Sequence, residues 1–181
     1  MLPVSLLLAI ALVIILSPHH ADALWPLPRS FKQGNSPVRL SPDFVIHLQL
    51  RNPPADMVSA VIRTQSRLAT DAFQRLVPGR GSADAHLLHR AHVVSSLSLV
   101  IHEGAPVRSI VDETNQKIDS KRESYSLSVS RHQPNAIIRA NSTLGLLRGL
   151  TTFEQLWHDY EGTKYLLNGD IDIVDEPAFV R

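Results

Sequence analysis

The chain has 181 residues, 18 of them basic and 17 acidic, and no cysteine. A net charge near zero gives no reason to expect a nucleic acid or another polyanion as partner. Without cysteine no disulfide can form, so a packed core has to hold the fold together. Apolar residues make up 44% of the chain, a proportion typical of a globular chain about one domain long and too high for a disordered one.

Residues 1–23 hold an apolar run from Val4 to Leu16, then Ser17-Pro18, and close on Ala21-Asp22-Ala23. The run is too short to span a bilayer comfortably, and Ala-x-Ala fits a signal-peptidase site. A signal peptide over 1–23, cleaved between Ala23 and Leu24, is therefore expected, and with it secretion or delivery to a lysosome or vacuole. An uncleaved anchor is the alternative, because the only positive charge ahead of the run is the terminal amine.

Leu24-Trp25-Pro26-Leu27-Pro28 alternates apolar residues with prolines, so it should run extended and add no regular ladder. Trp25 is expected to anchor the terminus by plugging into the domain surface rather than to serve as a platform for stacking sugars. Residues 44–50 (Phe-Val-Ile-His-Leu-Gln-Leu) read as a strand. Asn52 then caps a helix whose first position is Pro53. Val58, Val61, Ile62, Gln65, Leu68, Ala69, Ala72, Phe73 and Leu76 form its expected buried stripe, ended by Pro78-Gly79. Residues 80–90 read as a polar loop. His86, His89 and His92 lack the spacing of a zinc hydrolase helix and have no carboxylate with an obvious role beside them, so no metal is assigned.

Residues 93–102 read as a strand, apolar on both sides near its end and therefore central. Residues 107–122 are charged and weakly patterned, hence mostly loop. Tyr125, Leu127 and Val129 alternate with serines, the period-2 signature of a strand with one buried face. A second strand follows at 136–140. Asn141-Ser142-Thr143 then opens a helix marked by Leu146, Leu147, Leu150, Phe153, Leu156 and Trp157. Gly145 and Gly149 share one face of that helix, and each costs roughly 1 kcal/mol of propensity against alanine. Close approach of the helix backbone to the sheet would compensate; a merely tolerated weak helix is the alternative. Asn168-Gly169 between runs at 164–168 and 170–174 signals a terminal hairpin. The fold class expected is α+β: a mostly antiparallel sheet with two helices packed on one face, preceded by the signal peptide.

Glu-Ser-Tyr-x-Leu-x-Val from Glu123, the strand ending in Ala140, and Gly-Leu-Leu-Arg-Gly-Leu-x-Thr-Phe-x-Gln-Leu from Gly145 carry a family resemblance. They resemble the non-catalytic, zincin-like N-terminal domain of family 20 glycoside hydrolases, the β-N-acetylhexosaminidases. More faintly, the resemblance runs from Trp25-Pro26 to Asp175-Glu176-Pro177-Ala178-Phe179. Thr151 and Glu154 depart from it. The resemblance implies a domain over 24–174 and a linker over 175–181 leading to a (β/α)₈ barrel, a unit of about 250 residues.

In that family an adjacent Asp-Glu pair in the barrel acts with the substrate's own acetamide, a retaining route that departs from the two-carboxylate rule. The resemblance thus implies that the whole enzyme removes terminal β-linked N-acetylhexosamine and that 24–181 alone is inactive. It implies no cofactor and no catalytic residue here. Asp112-Glu113 and Asp175-Glu176 match no catalytic motif and are expected to be solvated or capping. Arg181 resembles, with one residue fewer before it, the arginine that binds the terminal sugar. The expected partner is the barrel, with a homodimer possible, no nucleic acid, and no membrane after cleavage. The alternative is a stand-alone secreted binding or regulatory module. Asn141-Ser142-Thr143 is also an N-glycosylation acceptor, compatible with helix capping only if Ser142 or Thr143 caps.

Overall fold

Among the described residues, eight strands form one sheet of order β1-β8-β4-β5-β3-β2-β7-β6. The computed structural model describes residues 24–71, 80–117 and 120–176. The strands are β1 (Ser30–Lys32), β2 (Val38–Gln49), β3 (His92–Ile101), β4 (Tyr125–Val129), β5 (Asn135–Ala140), β6 (His158–Tyr160), β7 (Thr163–Leu166) and β8 (Ile171–Asp175). Four helices accompany them among the described residues: α1 (Ala55–Thr70), α2 (Ala85–Leu88), α3 (Ile110–Thr114) and α4 (Thr143–Leu156).

The α+β class holds, and the two long helices α1 and α4 pack on each other and on the sheet. Two features differ from expectation. The sheet is mostly antiparallel, as expected, but its centre is parallel, β2 beside β3 and β3 beside β5. The short helices α2 and α3 fall in segments read as loop, since one turn of helix is too short to show periodicity.

Alternation decides which side of each strand meets the helices. Tyr125, Leu127 and Val129 of β4 are buried, as are Ala136, Ile138 and Ala140 of β5 and Leu97 and Leu99 of β3. Register places Leu97 beside Ala136 and Leu99 beside Ile138, so these side chains share the helix-facing side. Phe153 of α4 stacks on Phe44 with ring centroids 5.9 Å apart and meets Trp157 edge-on at 5.3 Å. The opposite face is polar: Ser96 and Ser98 donate to Asn135 Oδ1, and Gln49 Nε2 donates to Ser98 Oγ.

Helix α4 lies close to the sheet because its glycines allow it. A Cβ on Gly149 would stand 2.6 Å from Ile138 Cγ2; one on Gly145 would stand 2.6 Å from the Ser124 carbonyl oxygen and 2.9 Å from Ala140 Cβ. This contact confirms the close approach inferred from the two glycines.

Three local expectations are corrected. Helix α1 starts at Ala55 with Pro54 at the N-cap, and Asn52 instead takes a left-handed turn at φ 53°. Its buried residues are Met57, Ala60, Thr64 and Leu68, while Ile62 is 64% exposed and Ala69 is exposed. Thr64, absent from the expected stripe, turns inward because Glu154 of α4 accepts its hydroxyl. Ala72, Phe73, Leu76 and the Pro78-Gly79 stop lie outside the described residues.

Asn168-Gly169 does not close a hairpin. Strand β7 pairs with β2 and β6, whereas β8 pairs with β4 and β1 on the other side of the sheet. The Asn-Gly segment is the link between the two sides. Gly169 donates to Ser36 C=O and accepts from Gly34 N–H, both at 2.7 Å, where a Cβ would strike Val38 at 2.6 Å. The hairpin is β6–β7, turned at Glu161-Gly162 with φ of 49° and 81°, the two positive values a two-residue hairpin turn requires.

Candidate functional site

Strand β7 pairs with β2 at Val38 and Arg39 only, and among the described residues no other strand pairs with the rest of that edge. Gln65 of α1 fills it. Its Oε1 accepts from Ile46 N–H at 2.8 Å and its Nε2 donates to Phe44 C=O at 2.5 Å. The two long helices are tied by Glu154, which accepts from Thr64 Oγ1 at 2.5 Å and from Arg67 at 3.1 Å. The departure at Glu154 therefore has a structural use in this chain.

The helix layer exposes apolar side chains. Trp25 is 84% exposed and Leu27 67%, while Leu24 beside them is buried. This corrects the anchor expected of Trp25: Leu24 plugs in, and Gln155 of α4 grips the Trp25 backbone. Ile62 on α1 and Val111 on α3 are also exposed, with α3 joined to α1 by Val111 N–H donating to Asp56 Oδ2 at 3.1 Å.

A shallow groove of about 520 Å³ runs between α2 and the β6–β7 hairpin, lined by Arg39, Leu88, His89, Tyr160, Glu161 and Thr163. A smaller pocket of about 160 Å³ adjoins it at Arg39, walled by Phe44, Gln65, Leu68 and Lys164. Buried Lys164 pairs with Asp159 across the hairpin. Beneath the groove, Asp84 accepts from Tyr165 Oη at 2.7 Å and pairs with Arg80 at 3.5 Å. Burial, reinforced by that carboxylate, pushes the Tyr165 phenol up to about 12. Burial likewise raises the Tyr125 phenol to about 12 against the lowering effect of its 2.6 Å bond with Thr152. The partly buried carboxylates Asp84, Glu154 and Asp159 are thus all committed to structural partners.

The residues singled out by sequence do not converge. Arg181 and Ala23 lie outside the described residues, and Leu24 is buried at the start of the fold. His86 Nδ1 lies 2.9 Å from Ala83 C=O, His89 borders the groove and His92 begins β3. Asp175 accepts from Arg29 N–H at 3.2 Å and Glu176 pairs with the Arg29 guanidinium, which ties β8 to the start of β1. Glu113 is only 3% exposed, which rules out the solvated one of the two roles expected, solvated or capping, because α3 packs on α4. Asn141 is exposed at the start of α4. Sequence reasoning missed Gln155 and Glu154 as organising residues; nothing in an isolated polar residue on a helix announces a distant backbone partner.

A sheet with two long helices on one face, one of them, α4, seated through a glycine-lined contact, is the architecture of the described residues. A family profile described as "beta-acetyl hexosaminidase like" matches residues 24–156. The chain belongs to that family and carries the N-terminal domain of family 20 glycoside hydrolases. It is 29% identical over 155 residues to beta-hexosaminidase 1 of Arabidopsis thaliana, covering 77% of this chain and 26% of that protein. It is 31% identical over 160 residues to beta-hexosaminidase subunit beta of Felis catus, covering 87% and 28%. The chain therefore spans about a quarter of the length of these relatives. The chitobiase of Flavobacterium johnsoniae shares the fold, with a TM-score of 0.54 at 23% identity, over 87% of this chain and 21% of that one.

Proposed function

We propose that this region is the N-terminal domain of a secreted exo-β-N-acetylhexosaminidase, an enzyme that removes terminal β-linked N-acetylhexosamine. The observation that carries the reading is the family match over 24–156, which spans the sheet centre and both long helices. In this reading the domain supports a catalytic barrel and does not itself catalyse. The helix layer is its docking face: Trp25, Leu27, Ile62 and Val111 stand exposed on or against α1, α3 and α4, the apolar surface that a partner domain would cover.

The test compares two preparations on an aryl N-acetyl-β-glucosaminide. Natural protein captured with an antibody to residues 24–176 should release the aryl group, and purified 24–181 should not. An inactive natural product contradicts the enzymatic reading. Release by 24–181 alone contradicts the assignment of chemistry to another domain.

A further inference from the structure

Asn141-Ser142-Thr143 is the only Asn-x-Ser/Thr tripeptide in the chain, and capping and modification compete for it. The fold resolves the competition. Ser142 caps α4: its Oγ accepts from Gly145 N–H at 3.0 Å and donates to the Arg122 carbonyl. Thr143 Oγ1 donates to the Arg108 carbonyl at 2.8 Å. Both residues are buried, Ser142 at 1% and Thr143 at 0% exposure. Asn141, between the end of β5 and the cap, is exposed, and among the described residues no hydrogen bond engages its carboxamide.

We propose that Asn141 carries an N-linked glycan and that the glycan is attached before α4 docks on the sheet. The donor is an oligosaccharide linked through a diphosphate to a polyisoprenoid lipid. The Asn141 Nδ2 displaces the diphosphate from the anomeric carbon: one C–N bond forms, one C–O bond breaks, the lipid diphosphate leaves, and the amide proton passes to a base of the transferase. That transferase reads the hydroxyl of the third residue together with the asparagine. Once α4 has docked, the Thr143 hydroxyl is enclosed and bonded to Arg108, so only a chain not yet folded here presents the whole tripeptide. The finished glycan stands on an exposed side chain about 20 Å along α4 from Gln155, at a helix rise of roughly 1.5 Å per residue.

The full chain is expressed in secretory eukaryotic cells and treated with a peptide N-glycosidase. Wild type should drop by the mass of one glycan, and Asn141→Gln should run at the treated position without treatment. Ser142→Ala, which keeps the Asn-x-Thr pattern but removes the cap, should still drop. A wild-type chain unchanged by the enzyme, whether exported or retained, overturns the site. Timing is read separately with purified transferase and lipid-linked donor. A peptide spanning 136–148 should be modified and folded, unglycosylated protein should not; equal modification of both overturns the order of events.

Discussion

The carboxamide of Gln155 pairs with the backbone of Trp25 in both directions, accepting from its N–H at 2.8 Å and donating to its C=O at 3.0 Å. One side chain at the end of α4 thus substitutes for a neighbouring strand, holding a segment whose prolines prevent regular pairing. With Leu24 buried on one side and Pro28 on the other, the indole is held outward. Gln155→Ala should lose both bonds, destabilise the fold by about 1–2 kcal/mol, and speed hydrogen exchange at the Trp25 amide. Unchanged exchange there would show that the clamp does not hold the segment.

Replacing either glycine of α4 by alanine separates two opposing effects. Helix propensity alone predicts stabilisation by about 1 kcal/mol. The contact predicts the reverse, because a Cβ at Gly149 meets Ile138 and one at Gly145 meets a backbone carbonyl that cannot move aside as a side chain can. Gly149→Ala should cost about 1–3 kcal/mol in urea unfolding, and Gly145→Ala more. Stabilisation by either variant would refute close packing as the reason for glycine.

Thr64 and Glu154 join the two long helices through a bond to a charged acceptor. Thr64→Val keeps the shape and removes the donor, so a loss of about 1.5–3 kcal/mol is expected. Combined with Glu154→Ala, the second change should cost less than it does alone, by a coupling of at least about 0.5 kcal/mol. Strict additivity would mean that the helices are held without this bond.

The raised phenols give the alkaline side of the stability profile its sign. Tyr125 and Tyr165 sit near 12 in the fold against about 10 in an unfolded chain. The folded state therefore keeps protons that the unfolded state loses between these values, and stability falls as pH rises through that window. Melting temperature should be insensitive to these groups below pH 10 and drop between about 10 and 12. Tyr125→Phe should flatten the drop; a profile identical to wild type would remove Tyr125 from the effect.

Much of this was legible in the sequence because it is local. The serine alternation of 125–129 has the same period as the strand it forms, and Ser142 caps the helix that its position announces. Pairing across the sheet was not legible. Asn168-Gly169 carries the composition of a tight turn, yet its strands belong to opposite halves of the sheet, a choice made by Ser36, Gly34 and Val38 more than 130 residues earlier. The stripe of α1 was misread at Ile62 and Thr64 because hydropathy cannot foresee a threonine buried against a carboxylate on another helix. For the candidate site, sequence pointed to the exposed Asn141. The Trp25 surface was misassigned because an aromatic residue beside a proline looks the same buried or presented.

The central claim is that these residues form the leading domain of a larger glycosidase, and sequencing the messenger RNA across the codon for Arg181 tests it most directly. A reading frame that continues into a barrel-forming segment with an adjacent Asp-Glu pair is the expected result. A stop codon immediately after Arg181 in the mature transcript would contradict it.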